Sequence, residues 1–214
     1  GPSSATHLAL DVSYTIHFEN EGRLAFGMKL GGHLLNIDYT KLNHYNPSDV
    51  SFKNNITNQF SPNIGAGLFY YNENSYLGLS VPMLLQTKTY DEFSYSDANR
   101  RQHFYLMGGK VFDLAYNLKF KPAFVAKMVT GSPLQVDLTA NFLISDKFMA
   151  GLAYRWSAAV SALVGFKVND RLSIGYGYDR ETTRLANFNS GSHELFLQFD
   201  LFKINQQIET PRFF

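Results

Sequence analysis

The sequence predicts an all-β fold, an antiparallel β-barrel that crosses the outer membrane of a bacterium. Three observations carry this prediction. Apolar residues alternate with small or polar ones through most of the 214 residues, and a period of two is typical of extended strands. In each predicted strand every second residue belongs to one parity and so to one face of the sheet. The more apolar parity carries almost no ionisable residue over spans of about ten residues, as a lipid-facing strand requires. Short turns alternate with generally longer connections along the chain.

The alternation gives about eleven strands in this fragment, and we expect an even number in the full protein. In chain order they are 6–19, 23–35, 62–72, 75–83, 102–115, 117–129, 134–145, 147–156, 158–168, 171–180 and 192–202. In the first strand Leu8, Leu10 and Val12 share one parity while Asp11 and Ser13 share the other. The remaining strands repeat this division, some with more exceptions.

A soluble β-sandwich or lipocalin would also alternate, so the composition of the less apolar parity decides between the two folds. A water-facing sheet surface is usually rich in Lys, Glu and Thr. Here that parity holds glycine, alanine, serine and scattered charges of both signs, which favours a crowded, wet barrel interior. Aromatic residues such as Trp156 tend to lie toward strand ends, where an aromatic girdle would be. A soluble β fold stays the alternative.

The connections between strands favour the same topology. Polar turn sequences of the hairpin type occur at 19–22, 71–74, 115–117, 145–147 and 169–171. The connections between them, at 40–61, 85–101, 130–133, 157–159 and 180–192, are longer in three cases and short in two. Short periplasmic turns opposite longer external loops are typical of outer-membrane barrels. The sequence therefore places the start of the first strand on the external side.

This orientation predicts that the fragment is the C-terminal part of a longer protein. Residues 1–204 would form part of a single barrel, with N-terminal strands and a signal peptide missing, and 205–214 a periplasmic tail. Single-chain bacterial barrels have an even number of strands and both ends in the periplasm. An odd number of strands should therefore precede Gly1.

Composition excludes several other classes. The formal net charge is +1, whereas a nucleic-acid-binding protein would show a basic excess. Without cysteine there is neither a disulfide framework nor a thiolate metal site. The six histidines lack metal-binding spacing, and no apolar run is long enough for a transmembrane helix. We expect no metal and no cofactor.

The stretch RLSIGYGYDR, 171–180, resembles a glycine-rich nucleotide loop only superficially. A dinucleotide fingerprint needs a third glycine three residues later, but Arg180 stands there. The stretch is predicted to be a strand with Ile174 and Tyr176 toward lipid and Gly175 and Gly177 leaving space in the lumen. A charge at Ile174 should impair assembly, whereas serine at Gly175 should be tolerated.

Ten ionisable residues are predicted to face the barrel interior, where mixed signs would favour bracing ion pairs over a selective pore. A merely solvated interior is the alternative. The ten are Asp11, Lys29, Lys119, Lys121, Lys127, Asp137, Arg155, Asp179, Glu194 and Asp200.

The tripeptide Ser192–His193–Glu194 contains the residue types of a hydrolase triad. Neighbouring residues of a strand point to opposite faces, so Ser192 and Glu194 should point away from His193. A triad requires convergence, and no catalytic residue is predicted.

Several segments together resemble the PorP/SprF family of the type IX secretion system and gliding apparatus. They are GRLAFGMKLGG, GLSVP, FKPAF, VDLTANF, GSHE and the terminal PRFF, in the order and spacing of that family. The resemblance implies a non-enzymatic outer-membrane barrel in protein secretion. It also implies several partners: a secreted adhesin or its C-terminal sorting domain, a periplasmic peptidoglycan-binding lipoprotein and components of the secretion ring.

The leading functional hypothesis is therefore a barrel that anchors or presents an exported surface protein, or links the periplasmic machinery to the outer membrane. An outer-membrane transport channel for a small solute is the alternative. A hydrolase built on Ser192 and His193 is a third hypothesis, which loss of activity on replacing either residue would support.

Overall fold

The computed structural model describes residues 1–19, 21–41, 55–85 and 101–201, apart from the side chain of residue 185. In these ranges the chain forms one antiparallel sheet of twelve strands. The strands are β1 (Ser3–His17), β2 (Arg23–Ile37), β3 (Ile56–Tyr71), β4 (Ser75–Val81), β5 (His103–Lys110), β6 (Phe112–Ala115), β7 (Leu118–Val129), β8 (Gln135–Ile144), β9 (Phe148–Arg155), β10 (Ala159–Lys167), β11 (Leu172–Glu181) and β12 (Ser192–Phe199). Two short 3₁₀ helices, Tyr39–Lys41 and Arg184–Asn187, lie in connections.

The all-β prediction is confirmed, and most of the predicted strands match in place and order. The predicted strand 102–115 is divided into β5 and β6 at Val111, and β3 begins at Ile56, within the predicted connection 40–61 rather than at 62. Gly109 pairs with Ala123 and Phe112 with Phe120, so Pro122 lies opposite Lys110, the last residue before the interruption. Because proline has no N–H to donate, the ladder lacks a donor at this point.

The strands pair in the order β1-β2-β3-β4-β5-β7-β8-β9-β10-β11-β12. This is the sequence order, except that β5 and β6, the two parts of the interrupted strand, both pair with β7. The short connections at 18–19 and 21–22, 72–74, 116–117, 145–147 and 168–171 lie at one end of the sheet, which we call the turn end. Of the other described connecting residues, 38–41 and 55, 82–85 and 101–102, 130–134, 156–158 and 182–191 lie at the opposite end, which we call the loop end.

Two of the turns are closed by an asparagine side chain. Asn72 Oδ1 accepts hydrogen bonds from the backbone N–H groups of Asn74 and Ser75, at 3.0 and 2.7 Å. Asn169 Oδ1 does the same for Arg171 and Leu172, at 2.9 and 3.0 Å. An Asx turn of this kind provides an acceptor for backbone N–H groups that have no partner in the sheet. The asparagines in the predicted turn sequences therefore have a structural role.

The sheet has almost no hydrophobic core of the usual kind. In the described ranges Ala159 is the only hydrophobic residue that is fully buried. Large apolar side chains are exposed instead, among them Leu152 at 63% and Val164 at 43%. A water-soluble domain of this size would bury most such groups.

No helix in the described ranges is long and apolar enough to span a membrane.

Two strands of the described sheet have a paired neighbour on one side only. Among the described residues, β1 pairs only with β2 and β12 pairs only with β11. Both strands run from the loop end to the turn end, because an even number of antiparallel steps along the main path separates them. Pairing them directly with each other would give a parallel pair.

Candidate functional site

Strand register divides the side chains between two faces of the sheet, because directly paired residues of an antiparallel ladder project to the same side. The apolar face carries such triplets as Leu10, Leu30 and Ile64 in β1 to β3. The polar face carries Asp11, Lys29 and Gly65 in the same strands. The division continues to β12, where Leu195 belongs to the apolar face and Glu194 to the polar face.

The sheet brings nine of the ten residues predicted from sequence to the polar face. Their register partners are Asp11 with Lys29, Lys119 with Leu143, Lys121 with Asn141, Lys127 with Gln135, Asp137 with Arg155, Asp179 with Ser161 and Glu194 with Gly177. Asp200 lies just beyond the end of β12, where its N–H donates to the Arg171 carbonyl at 2.8 Å. That the polar face lines a lumen stays a prediction.

Three of the ion pairs on or beside this face involve residues predicted from sequence. Asp11 meets Lys29 at 3.5 Å and Asp137 meets Arg155 at 3.1 Å, each across one strand pair. Lys119 Nζ lies 3.6 Å from Asp146, a turn residue that the sequence did not single out. The Ser161 hydroxyl donates to Asp179 at 2.8 Å. These contacts link neighbouring strands on the polar face.

The Asp137–Arg155 pair gives a testable prediction of small size. The two side chains are 32% and 45% exposed, and exposed pairs contribute roughly 0.2–1 kcal/mol. Arg155→Ala should therefore lower the free energy of unfolding by less than about 1 kcal/mol, measured by urea titration in lipid vesicles. Exchanging the two residues, as Asp137→Arg with Arg155→Asp, should recover most of the loss. A loss several times larger would show that the pair is part of a more demanding network.

Lys121 is the most buried charged residue among those described, with 7% of its surface exposed. It lies opposite Asn141, in the middle of the polar face of β7 and β8. Lys127, in the same strand, approaches the ring of Tyr105 at 5.9 Å. Together with Lys119 they make β7 the most basic strand of the polar face.

A hollow of about 470 Å³ lies on the polar face, toward the turn end of β1 to β5. Its lining includes Ser13, Gly27, Gly67 and Ser80, and Gly27 pairs directly with Gly67. The hollow exists because small residues lie side by side in consecutive strands. Sequence reasoning missed it, although the glycines at one parity of adjacent strands were a usable signal.

A second cluster that the sequence did not reveal lies toward the loop end of β1 to β3. The rings of His7 and His33 are stacked with centroids 5.6 Å apart, and His33 is only 3% exposed. Ser61, the register partner of His33, is 4% exposed. In the described ranges no three His, Asp or Glu side chains are grouped to hold a metal, so this cluster gives two imidazoles rather than a metal-binding set.

The loop end of β2 carries a hydrogen-bonded anchor centred on Asp38. Its Oδ1 accepts from the Thr40 hydroxyl at 2.6 Å and from Asn55 Nδ2 at 3.1 Å. The hydrogen bond from Thr40 is the largest cause that lowers the pKa of the Asp38 carboxyl below its usual value. The stabilisation that the ionised Asp38 contributes is therefore fully present above the usual pKa of an aspartate. It is lost as the pH falls through the lowered pKa of Asp38.

The residues of the supposed hydrolase triad lie as their alternation indicates. Ser192 and Glu194 share the polar face through their partners Asp179 and Gly177, whereas His193 pairs with Tyr178 on the apolar face. His193 Nδ1 is hydrogen-bonded to the Tyr176 hydroxyl at 2.6 Å. The serine and the histidine therefore do not converge.

The expectation that Gly175 leaves space is wrong, whereas the tolerance of serine there stays a prediction. The position is not open space in the structure, because a Cβ atom there would overlap the ring of Phe196 on the adjacent strand. Phe196 lies at the polar parity of β12 and fills the place that a side chain at Gly175 would need. Gly177 is the open position, with no atom closer than 3.9 Å to a Cβ built there.

Comparison with models of known protein families shows to which family the chain belongs. The family model described as type IX secretion system membrane protein PorP/SprF matches residues 1–199. The chain belongs to the PorP/SprF family. Comparison with curated proteins and with solved structures found no match.

Membership of the PorP/SprF family makes the chain a component of the type IX secretion system. The match runs from β1 to the end of β12, so the family assignment covers the whole described sheet. The resemblance identified from sequence motifs is confirmed.

Proposed function

We propose that this PorP/SprF protein is a non-enzymatic outer-membrane barrel of the type IX secretion and gliding machinery. It anchors or presents a secreted surface protein, or links the periplasmic machinery to the outer membrane. The observation that carries the membrane part is the exposed apolar face, with Leu152, Val164 and Ile174 at 63%, 43% and 41%. Apolar side chains exposed across a whole sheet are stable in lipid and costly in water.

The distribution of aromatic residues on the apolar face supports the same placement. Phe148 pairs with Phe166 toward the turn end, and Tyr154 and Tyr178 lie toward the loop end. Tyrosine hydroxyls at the loop end reach polar partners, since Tyr178 donates to the Ser190 carbonyl at 2.8 Å. Amphipathic rings at both borders of an apolar band are typical of a membrane interface.

The location is tested by separating inner and outer membranes of cells that produce the natural full-length polypeptide. We expect the protein in the outer-membrane fraction, extracted only by detergent. Recovery in the periplasm or in a detergent-free soluble fraction would overturn the proposal.

The partners are tested by tagging the same polypeptide, purifying it in detergent and identifying bound proteins by mass spectrometry. The proposal expects a secreted adhesin or its C-terminal sorting domain, a peptidoglycan-binding lipoprotein or secretion ring components. A purified barrel that carries none of them would contradict the anchoring role.

Two exposed aromatic residues, one at each end of the sheet, allow the binding end to be identified. Phe188 is 87% exposed in the connection 182–191 at the loop end, and Tyr116 is fully exposed in the turn 116–117 at the turn end. Exposed aromatic groups often anchor protein interfaces. If the exported protein is held outside the cell, Phe188→Ala should weaken its recovery several-fold.

The matched variant Tyr116→Ala should leave recovery of the exported protein unchanged and reduce recovery of periplasmic components. Both positions lie outside the strands, so neither variant should alter the thermal stability of the barrel. Equal recovery of all partners from both variants and the natural protein would show that neither aromatic residue contributes to binding.

A transport channel for a small solute is the second candidate, and the hollow of about 470 Å³ on the polar face favours it. Its lining of serine, glycine and apolar side chains has space for a small molecule. Liposomes that contain only the purified protein would show conductance or uptake if the channel operates alone. Absence of both, together with recovery of an adhesin from cells, would support the anchoring function.

A further inference from the structure

Basic side chains on the apolar face of the described sheet lie only near its two ends. In the described strands this face holds no carboxylate and three basic residues, Lys110, Arg180 and His193. Lys110 lies at the turn end of β5, where its Nζ is 5.2 Å from the centroid of the Phe112 ring. Arg180 and His193 lie toward the loop end, in the paired strands β11 and β12. The loop end of the apolar face therefore carries a cation that no carboxylate of that face balances.

Arg180 is exposed and has no carboxylate partner among the described residues. None of the five ion pairs in this part of the chain involves it. The carboxylates beside it in sequence belong to the polar face and have other partners. Asp179 accepts from the Ser161 hydroxyl at 2.8 Å, and Glu181 accepts from the Thr183 hydroxyl at 3.3 Å. Because a guanidinium group is always charged, Arg180 is available to an anion from outside the described chain.

Aromatic rings lie beside Arg180 on the same face. Val160 pairs with Arg180 on one side and with Tyr154 on the other, so the three residues form a row across β9 to β11. Trp156 continues β9 beyond Tyr154, since its N–H donates to the Val136 carbonyl at 2.9 Å, and it is 63% exposed. Tyrosine and tryptophan rings are enriched at the level of lipid head groups. The row therefore places Arg180 at the depth where a bilayer has its phosphates.

His193 provides a second hydrogen-bond donor near Arg180. It is the register partner of Tyr178, two residues before Arg180, and residues in this diagonal relation are about 7–8 Å apart, within reach of long side chains. The Nδ1 atom of His193 is hydrogen-bonded to the Tyr176 hydroxyl at 2.6 Å. When Nδ1 accepts from that hydroxyl, the proton of the neutral ring lies on Nε2. Arg180 and His193 can then donate to the same anion.

We propose that the loop end of the apolar face binds the phosphate of an anionic lipid head group, with Arg180 and His193 as donors and Tyr154 and Trp156 beside the lipid. This inference rests on the proposed membrane location. A phosphate fits the site because a guanidinium group binds it through two parallel hydrogen bonds. A lipid fits better than a free anion, because its acyl chains would cover the exposed apolar side chains that continue from Val160 toward the turn end.

Trp156 is the only tryptophan of the 214 residues and reports on the lipids beside the site. The natural polypeptide is reconstituted in phosphatidylcholine vesicles in which brominated phosphatidylcholine or brominated phosphatidylglycerol replaces part of the lipid. Bromine quenches tryptophan fluorescence, and the part of the signal that Trp156→Phe removes belongs to Trp156. One basic residue near an anionic lipid surface favours the anionic lipid roughly fivefold, so we expect a preference of that size for phosphatidylglycerol.

Four variants and a competitor test the residues of the site. Arg180→Gln should abolish the preference, and Arg180→Lys should keep most of it. His193→Phe, which retains a ring but no donor, should lower the preference by a smaller factor, and an unchanged value would contradict the role of His193. Lys110→Gln is the matched control, because it removes a basic residue from the same face at the opposite end, and it should leave the preference unchanged. Inorganic phosphate should compete no better than chloride of equal ionic strength.

Several outcomes would overturn the inference. Equal quenching by both brominated lipids in the natural polypeptide would do so, as would an unchanged preference in Arg180→Gln. An equal loss from Arg180→Gln and Lys110→Gln would show a general charge effect, and competition by inorganic phosphate would show a site for a free anion. A bound protein whose recovery from cells depends on Arg180 would assign this residue to a protein interface instead.

Failure of the proposed function gives a different result from failure of this inference. If neither brominated lipid quenches Trp156, the apolar face does not meet acyl chains, and the proposed membrane location is rejected together with the lipid site. If both lipids quench Trp156 equally, the membrane location is retained and the lipid site alone is rejected.

Discussion

Leu152→Arg should prevent stable assembly of the barrel in lipid. Leu152 lies in the middle of β9 and projects 63% exposed from the apolar face, between Ala140 and Ala162 of the adjacent strands. Its small neighbours cannot shelter a guanidinium group. Arginine on a lipid-facing strand costs about 2–4 kcal/mol near the bilayer midplane, a large part of the roughly 5–15 kcal/mol that stabilises a typical domain.

The measurement is urea unfolding of the natural full-length polypeptide in lipid vesicles, with outer-membrane recovery in cells as a second reading. Gly177→Arg is the matched control, because it adds the same side chain to the polar face. A Cβ at Gly177 meets no atom within 3.9 Å, and the position lies opposite Glu194. The control should retain near-natural stability; equal losses from both variants would contradict the assignment of the faces.

Ile174→Arg should have a smaller effect than Leu152→Arg, because Ile174 lies closer to the turn end of its strand. The cost of a charge falls toward the membrane interface. The strand register places Ile174 on the apolar face, as the sequence predicted. The serine variant at Gly175, which the sequence suggested as its counterpart, is not a suitable control. Serine at Gly175 would displace the Phe196 ring, so Gly177 is the better reference.

Gly31→Ala should destabilise the β1–β2 pair, the second large effect that we expect. A Cβ at Gly31 would overlap the Leu8 carbonyl oxygen and lie 2.9 Å from Ala9 Cα. Both obstacles are backbone atoms of β1, so relief requires the whole strand to move. Overpacking of this kind typically costs 1–3 kcal/mol, measured as a lower urea midpoint in vesicles.

Gly27→Ala is the control for this variant, since it lies in the same strand and on the same face. The nearest atom to a Cβ at Gly27 is the Gly67 carbonyl oxygen at 3.9 Å. Replacing a strand glycine without a clash removes unfolded-state freedom worth roughly 0.5–1 kcal/mol, so stability should hold or rise slightly. A Gly31→Ala protein as stable as Gly27→Ala would show that β1 is free to shift.

Much of the fold could be predicted from the sequence because a sheet with one apolar face leaves its period in the residues. The parity of Asp137 and Arg155 placed both on one face before their 3.1 Å contact was known. Turn sequences with asparagine, such as those at Asn72 and Asn169, marked the ends of strands. These features depend on local chemistry alone.

Features that depend on neighbouring strands could not be predicted in the same way. Phe196 fills the space beside Gly175, and a hollow lies around Gly27 and Gly67. To predict either feature one must know which residues of adjacent strands lie opposite each other, and alternation alone does not determine this register. The break at Val111 depends on Pro122 in another strand. The Lys119–Asp146 pair joins a strand to a turn across a hairpin, so neither residue indicates the other.

The purely sequential pairing of the strands has a consequence for how such proteins can change in size. In the described part of the chain each hairpin is bonded only to its neighbours in sequence, so gain or loss of a complete hairpin by duplication or deletion preserves the alternating directions of all the others. A removed unit exposes two edges of matching polarity, which can rejoin. Barrels of different diameter, carrying different external connections, are thus accessible from one ancestral gene in single genetic steps.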